Sequence, residues 1–296
     1  GNLVSHDSVE HPDDDKNDWK IRDQSLVKDR LLLYNDDVLI GVLYYSQGRD
    51  ENNRTTFFTT NLDPSYNHKG YRKLLYNEML KRIKVYSSNK LLTSIYEHLN
   101  YREYQKLLIK ERFKLVQTNR EYSCDIRKID TRKYYPLIEK LESEGIKFYD
   151  SKKEMKNYPN KFPDFYKNVE ELEWTYAQDF PIPDGIKHTR TPFNQFMKFC
   201  LDYYENCYGT EIIAVLDGEY IGSTNIEVFP KAEPHKAWTG GLGVLKEDRR
   251  KGIATALKII AIERLLKKGI TEIRTDNEEN NPMYKINVAL GFKPVP

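Results

Sequence analysis

The sequence predicts a mixed α/β protein, an α+β design with mixed sheets, arranged as two consecutive domains of like build. Two observations carry this. Apolar runs of strand length alternate with amphipathic helical stretches in the order strand, strand, strand, turn, helix, strand, helix, and that order occurs twice. The chain also has 296 residues, while single cores stop growing near roughly 250–300 residues. Residue identity between the copies is low, so the repeat is one of architecture.

Residues 1–19 are polar, acidic at Asp13–Asp15, and read as a flexible tail. Leu31–Leu33 and Val38–Tyr45 flank Asn35-Asp36-Asp37 as a hairpin. Thr55–Asn61 is a third strand, Asp63-Pro64 a turn, and Leu74, Leu75, Met79 and Ile83 mark a helix. Leu91–Tyr96 reads as a strand, Tyr101–Lys110 as a helix and Phe113–Ile126 as an extended closing segment, giving a first domain over residues 20–128. The second domain, 129–296, opens with a helix through Tyr135, Leu137, Ile138 and Leu141, followed by a short strand at Ile146–Tyr149. Helices at Tyr166–Tyr176 and Phe193–Tyr204 enclose the loop Asp179–Pro183. Ile212–Leu216 and Tyr220–Phe229 form a hairpin around Asp217-Gly218-Glu219. Ala237–Val244 (strand), Gly252–Lys267 (helix), Ile270–Thr275 (strand) and Pro282–Leu290 (helix) complete the order.

Composition narrows the function. A formal net charge of +2 gives no global bias toward nucleic acid or membrane, so any anion site is local. No apolar stretch reaches the ~18 residues of a membrane span. Cys124, Cys200 and Cys207 have neither disulfide-framework nor zinc spacing, which fits a reducing cytoplasm and implies no metal. Gly1–Ser5 would match a myristoylation signal behind a Met, but a glycine left by trimming is the preferred reading.

The informative segment runs from Gly240 to Ala254. Three glycines, Gly240, Gly241 and Gly243, weaken a strand and signal close approach to its backbone. Arg249, Arg250 and Lys251 then precede Gly252 and Ala254 as a helix opens. A helix start offers unpaired N–H groups and partial positive charge, which suits a pyrophosphate. A basic helix cap with solvated arginines is the competing reading. The helix behind is anchored by Ile253, Ala256, Leu257, Ile260, Ala261 and Leu265. The chain has no GxxxxGK[ST], and Gly241-Leu242-Gly243 lacks the third glycine of a dinucleotide fingerprint. Glu247 and Asp248 interrupt the basic run, against a nucleic-acid patch.

Arg249-x-x-Gly252-x-Ala254 resembles the pyrophosphate loop of the GNAT superfamily of N-acetyltransferases. Downstream, Asn280-Asn281-Pro282 leading to Leu290-Gly291-Phe292 resembles that family's second signature, in the same order and at the same spacing. Ile273–Asn277 running into Asn281-Pro282-Met283 is similar to bacterial tandem-GNAT proteins, a group that includes relatives of mycothiol synthase. The motif likeness covers about Trp238–Phe292, and elsewhere it is one of pattern.

The resemblance implies that acetyl-CoA is the co-substrate and that a tandem GNAT fold carries a degenerate N-terminal copy. It assigns Leu242, Gly243 and Val244 to pantetheine pairing, with a backbone N–H near Val244 polarising the thioester carbonyl. Arg249, Arg250, Lys251, Gly252, Ile253, Ala254 and Thr255 would hold the pyrophosphate. Asn280 would bond the pantetheine arm, or cap its helix. The family's Tyr, acid for the leaving thiolate, is replaced by Asn287, with Tyr284 one turn away as a poor substitute by register. The base is open, with Glu227 and Asp276 as candidates. In the first domain Asn67-His68-Lys69-Gly70-Tyr71-Arg72 occupies the loop, and Arg72 stands where Gly or Ala belongs. Arg112-Phe113 replaces Gly-Phe and Leu108 replaces Tyr, so this copy is expected to shape the substrate cleft without catalysing. A GNAT domain normally has further strand after Gly291-Phe292, so a truncated terminus or a partner element completing the sheet is expected.

The expected activity is acetyl transfer to a primary amine of a small molecule, by a monomer or homodimer, with Asp179–Asp184 walling the acceptor site. A CoA-binding sensor or pseudoenzyme, and a protein N-acetyltransferase, are the alternatives.

Overall fold

A computed structural model of the chain describes residues 12–49, 55–67, 69–86, 88–97, 101–206, 209–229, 231–278, 281 and 283–295. The readings at Gly1–Ser5, His68, Cys207 and Asn280 lie outside these residues. Two compact units divide the chain: Gly1–Val116 with Asp184–Thr191, and Gln117–Pro183 with Pro192–Pro296. No described helix is long and apolar enough to cross a membrane.

In the first unit, helix α1 (Pro12–Ile21) occupies part of the expected tail. Proline pre-sets φ at a helix start, and Asp13 adds negative charge to the first turn, where the helix dipole favours it. Arg22 and Arg30 sit 4.4 and 4.7 Å from the Trp19 ring, which ties the helix end to the sheet edge. Strands β1 (Lys28–Asn35), β2 (Val38–Gln47), β3 (Thr55–Leu62) and β4 (Lys90–Leu92) form a sheet in that order. Helix α2 (Tyr71–Ile83) crosses from β3 to β4, and α3 (Arg102–Lys110) follows. Leu43, Phe58, Leu75, Met79 and Tyr104 join in one buried cluster between these layers.

The second unit contains β5 (Asn119–Asp125), α4 (Tyr135–Ser143), β6 (Lys147–Asp150), α5 (Phe165–Ala177) and α6 (Phe193–Asn206). There follow β7 (Thr210–Leu216), β8 (Glu219–Glu227), β9 (Lys236–Val244), α7 (Ile253–Lys267), β10 (Glu272–Glu278), α8 (Met283–Ala289) and β11 (Lys293–Pro294). The sheet order is β11-β5-β10-β9-β8-β7-β6. Strand β7 is covered on both faces. Ile212 and Ala214 join the cluster of α7, whereas Ile213 and Val215 join that of α5. That double burial is why the sequence there reads as an unbroken apolar run.

The repeat is physical. β1-β2-β3-β4 and β7-β8-β9-β10 share two antiparallel pairings and one parallel crossover through a helix. Both first hairpins turn on an Asp at φ 50, Asp36 and Asp217, and both carry a register shift just beside the turn.

One strand departs from expectation. Phe113–Ile126 was to close the first domain, and the boundary was to fall at 128/129. Instead β5 pairs antiparallel with β10 along Asn119–Asp125, lies between β10 and β11, and belongs to the second unit. Its alternation inserts Tyr122 and Cys124 into the core shared with α7, while Arg274 of β10 reaches across to Glu121 at 2.6 Å. An edge of β10 left bare would expose its N–H and C=O groups. The strand expected after Gly291-Phe292 thus has its place beside β10 filled from earlier in the chain.

Candidate functional site

The site originates in a splay. β9 and β10 pair only at Lys236–Trp238 with Glu272–Arg274. Past that point Thr239–Leu242 and Thr275–Glu278 diverge around a cleft of ≈ 230 Å³, with Lys258 and Asn287 beneath and Phe180 and Pro181 at one wall. The divergence is reinforced on both sides. On β9, Gly240 is an extra residue between the pairs Ile226–Thr239 and Asn225–Gly241, a bulge that turns the strand aside. On β10, Arg274 donates to Glu272 at 2.5 Å and to Glu121 at 2.6 Å, which fixes the last paired residue. The buried atoms Thr239 Oγ1 and Asn225 Oδ1 beside the bulge have no hydrogen-bond partner among the described residues. Unmet polar groups there are costly unless something binds them.

Gly252 opens α7 at φ 94, and no side chain caps the helix. The Gly252 φ is one that L residues avoid, which is what calls for glycine, and a Cβ would also press on the far end of the Leu137 side chain at 2.7 Å. Arg250, at φ 66, precedes it. The backbone therefore turns just before the helix and leaves the first N–H groups of Ile253, Ala254 and Thr255 without a cap, the arrangement that suits a phosphate. Arg250 and Lys251 are exposed beside it, and Lys251 pairs with the buried Asp248 at 2.7 Å.

Arg249 is differently engaged. Its Nε donates to the Val244 carbonyl at 2.8 Å and its Nη2 to Asp179 at 2.6 Å. Lys246 joins the same carboxylate at 3.2 Å. Hydrogen bonds from these two cations hold the Asp179 carboxyl below its ordinary range. The Arg249 side chain thus fastens the end of β9 to the loop carrying Phe180.

Gly243 has a packing cause instead of the cofactor cause that its type suggested. A Cβ there would lie 2.2 Å from the Tyr176 ring of α5. Leu242 and Val244 are buried in the α7 core, so their backbone alone is available to a ligand.

The two acid candidates part company. Asn287 is 2 % exposed and lines the cleft floor. Its Nδ2 donates to Asn277 at 2.7 Å, and its Oδ1 accepts from the Lys258 ammonium. Tyr284 is exposed, packs its ring 5.3 Å from Tyr122 and does not line the cleft. Of the base candidates, Asp276 lines the cleft and accepts from Asn119 at 3.3 Å. Glu227 lies half-buried at the end of β8 and outside the cleft lining.

Two buried titratable residues escaped the sequence reading. Lys258 was passed over as a polar residue on an amphipathic helix, yet it is 1 % exposed, with its Nζ 4.6 Å from the Phe292 ring. Burial pulls its ammonium down to about 7. Its spacing was the available signal, because it shares a helix face with Ala261 and Ile262. The other is Glu173 on α5. Burial, and then the charges of Glu211 and Glu170, raise its carboxyl far above the carboxylate range. Nothing in the sequence announces that these three acids converge.

The equivalent gap of the first unit is filled from within. β3 and β4 pair only at Thr55–Phe57 with Lys90–Leu92. Arg72, 4 % exposed, donates to the Thr60 carbonyl at 2.6 Å and to Asn67 at 3.0 Å. Its guanidinium lies 4.9 Å from the Tyr104 ring, and the Tyr104 hydroxyl meets Thr93 at 3.0 Å. The sequence puts Arg72 where the motif has Gly or Ala. Its charge is turned inward.

Residues 169–290 match the model of the Acetyltransferase (GNAT) family. Comparison with curated proteins returns no match, so the narrower likeness to mycothiol synthase relatives gains no support. Among solved structures, a tandem GNAT protein from the clavulanic acid biosynthesis pathway, solved without AcCoA, superposes with TM-score 0.72 at 18% identity, over 95% of this chain and 84% of that one. A GCN5-related N-acetyltransferase from Sphaerobacter thermophilus gives 0.62 at 13% identity, over 96% and 82%. A glucosamine N-acetyltransferase region of a fungal multi-domain GH3 beta-N-acetylglucosaminidase gives 0.70 at 13% identity, over 99% of this chain and 35% of that one. The chain thus has the tandem GNAT fold, and its segment 169–290 belongs to the GNAT acetyltransferase family.

Proposed function

We propose that the second unit transfers an acetyl group from acetyl-CoA to a primary amine of a small molecule. One observation supports this above the rest: β9, which diverges from β10 around a cleft, leads through a short loop into the uncapped start of α7, and Lys258 of that helix lines the cleft. The residues suit the co-substrate. Uncapped N–H groups of Ile253, Ala254 and Thr255, with Arg250 and Lys251, would hold the pyrophosphate. The freed edge of β9 at Gly241–Val244 would pair with the pantetheine amides.

An ammonium acceptor must lose a proton before attack. Glu173 suits that role, because a carboxyl shifted upward by burial and like charge binds a proton near neutrality. It lies outside the cleft lining, as Glu227 does, but one helical turn before Tyr176, whose hydroxyl meets Ser223 at 3.1 Å and faces Gly241 of the cleft wall. Glu170 and Glu211 add the negative charge that draws a cationic amine.

The test is calorimetry with CoA, followed by thiol release from acetyl-CoA across a panel of small amines and peptides. Binding with turnover on a small amine is expected, and Glu173→Gln should lower turnover by about 10²-fold. Binding without turnover on any amine would favour a CoA sensor. Turnover on peptides alone would favour protein acetylation.

A further inference from the structure

We propose that Lys258 is the proton donor to the departing CoA thiolate, in place of the tyrosine that the second unit lacks. The proposal rests on the acetyl-transfer reading and deepens it. Lys258 stands on the inner face of α7 and lines the cleft floor together with Asn287. Asn287 occupies the tyrosine position but has no proton to surrender. Its carboxamide instead orients a residue that does. Asn277 Oδ1 takes the Nδ2 hydrogen, which turns Asn287 Oδ1 toward the Lys258 ammonium. One N–H of that ammonium is thereby fixed, and the Phe292 ring covers another side at 4.6 Å.

A buried lysine normally has a carboxylate partner, since an unpaired ammonium is costly to desolvate. Lys258 has no ion pair among the described residues. Asp276 and Glu278 of β10 line the same cleft without pairing with it. The titratable group that faces it is the Cys124 thiol of β5, whose own hydrogen goes to the Leu290 carbonyl. No acidic residue of β7, β8 or β9 is paired with it among the described residues. A site that keeps an unpaired lysine under a cleft has left it an anion to meet, and a thiolate is the anion that this chemistry makes.

The step balances. The neutral amine nitrogen bonds to the thioester carbon and the carbon–sulfur bond breaks, with its electron pair passing to sulfur. The Lys258 ammonium gives one proton to that sulfur and becomes neutral. The proton lost by the amine goes to Glu173 and then to water, and Lys258 is recharged from solvent when products leave. A thiol with pKa near roughly 8.5 outcompetes a lysine held at about 7, so the transfer runs downhill.

Two measurements on the full chain test this. The first follows the Lys258 Nζ signal by NMR of lysine-labelled protein, without ligand, with CoA, and with a CoA analogue lacking sulfur. CoA should move the signal and its titration, and the sulfur-free analogue should not. The second is the pH profile of kcat. Because Glu173 must be ionised while Lys258 is protonated, wild-type kcat should be bell-shaped with its falling limb above about 8, and Lys258→Met should remove that limb and lower kcat by about 10²-fold with little change in CoA affinity. Asn287→Asp should move the limb to higher pH by giving the ammonium a counter-charge, a displacement that a structural role would not produce. Equal response to CoA and its sulfur-free analogue, or an unmoved limb in both variants, overturns the donor role while leaving acetyl transfer intact. If Lys258→Met does not fold, the NMR comparison decides alone. Failure of CoA to bind wild type sinks both readings.

Discussion

Arg249 donates to Asp179 at 2.6 Å and to the Val244 carbonyl at 2.8 Å, so one guanidinium joins the end of the splayed strand, the loop before α7 and the wall of the cleft. An anion arriving at α7 competes with Asp179 for that charge. The pair is partly exposed, and such pairs contribute only about 0.2–1 kcal/mol. Asp179→Asn is therefore expected to tighten CoA binding by roughly 2–5-fold. Arg249→Ala should weaken it by about 10-fold or more, since a hydrogen bond to a charged group contributes roughly 1.5–3 kcal/mol. Titration calorimetry at fixed salt reads both, and unchanged affinity in the pair of variants would remove Arg249 from the phosphate site.

Gly243→Ala should destabilise the second unit. The added methyl meets the Tyr176 ring at 2.2 Å, and overpacking of this kind costs about 1–3 kcal/mol. Urea unfolding followed by tyrosine and tryptophan fluorescence measures it. A second substitution, Tyr176→Leu, should recover part of the loss by vacating that space.

Binding of CoA is expected at one site per chain, because Arg72 fills the first unit's gap. Arg72→Ala should leave the stoichiometry at one and destabilise that unit by about 1–3 kcal/mol, the cost of a buried carbonyl left unmet at Thr60. Two equivalents bound to wild type, read by calorimetry, would contradict the self-filled gap.

Lys258 makes stability pH-dependent with a definite sign. Its folded pKa, about 7, lies below the ordinary 10.5. The unfolded chain therefore binds the extra proton across that window, and stability rises with pH from about 7 toward 10.5. At about 1.36 kcal/mol per pKa unit, the full effect approaches ~5 kcal/mol. Lys258→Met should be more stable than wild type at pH 6–7, and the gap should close as pH rises. Chemical denaturation at several pH values follows that difference, and a constant gap would place the ammonium in water.

Local chemistry made much of this legible in the sequence. Period-2 and period-3.6 apolar spacing, the turn residues at Asp36 and Asp217, and the Arg249–Ala254 loop are properties of neighbouring residues, and the structure forms the expected strands, helices and uncapped helix start there. Long-range pairing left no such trace. Asn119–Asp125 carries only the alternation of a strand, and that alternation serves equally in either sheet. Its pairing with β10 depended on which sheet had an open edge. Gly243 announced a close approach but could not say that a tyrosine ring from α5 makes it.

By itself, then, the sequence determined the two-copy α/β design and the glycine turn that opens α7, because each is written in contiguous residues. Tertiary structure alone decided that β5 lies between β10 and β11, that Arg72 is turned into its own domain, and that Lys258 and Asn287 meet under the cleft. The reason is desolvation. A lysine's character follows from what surrounds it, and those surroundings come from α8, β10 and β5, segments far apart in the chain that only folding brings to one point.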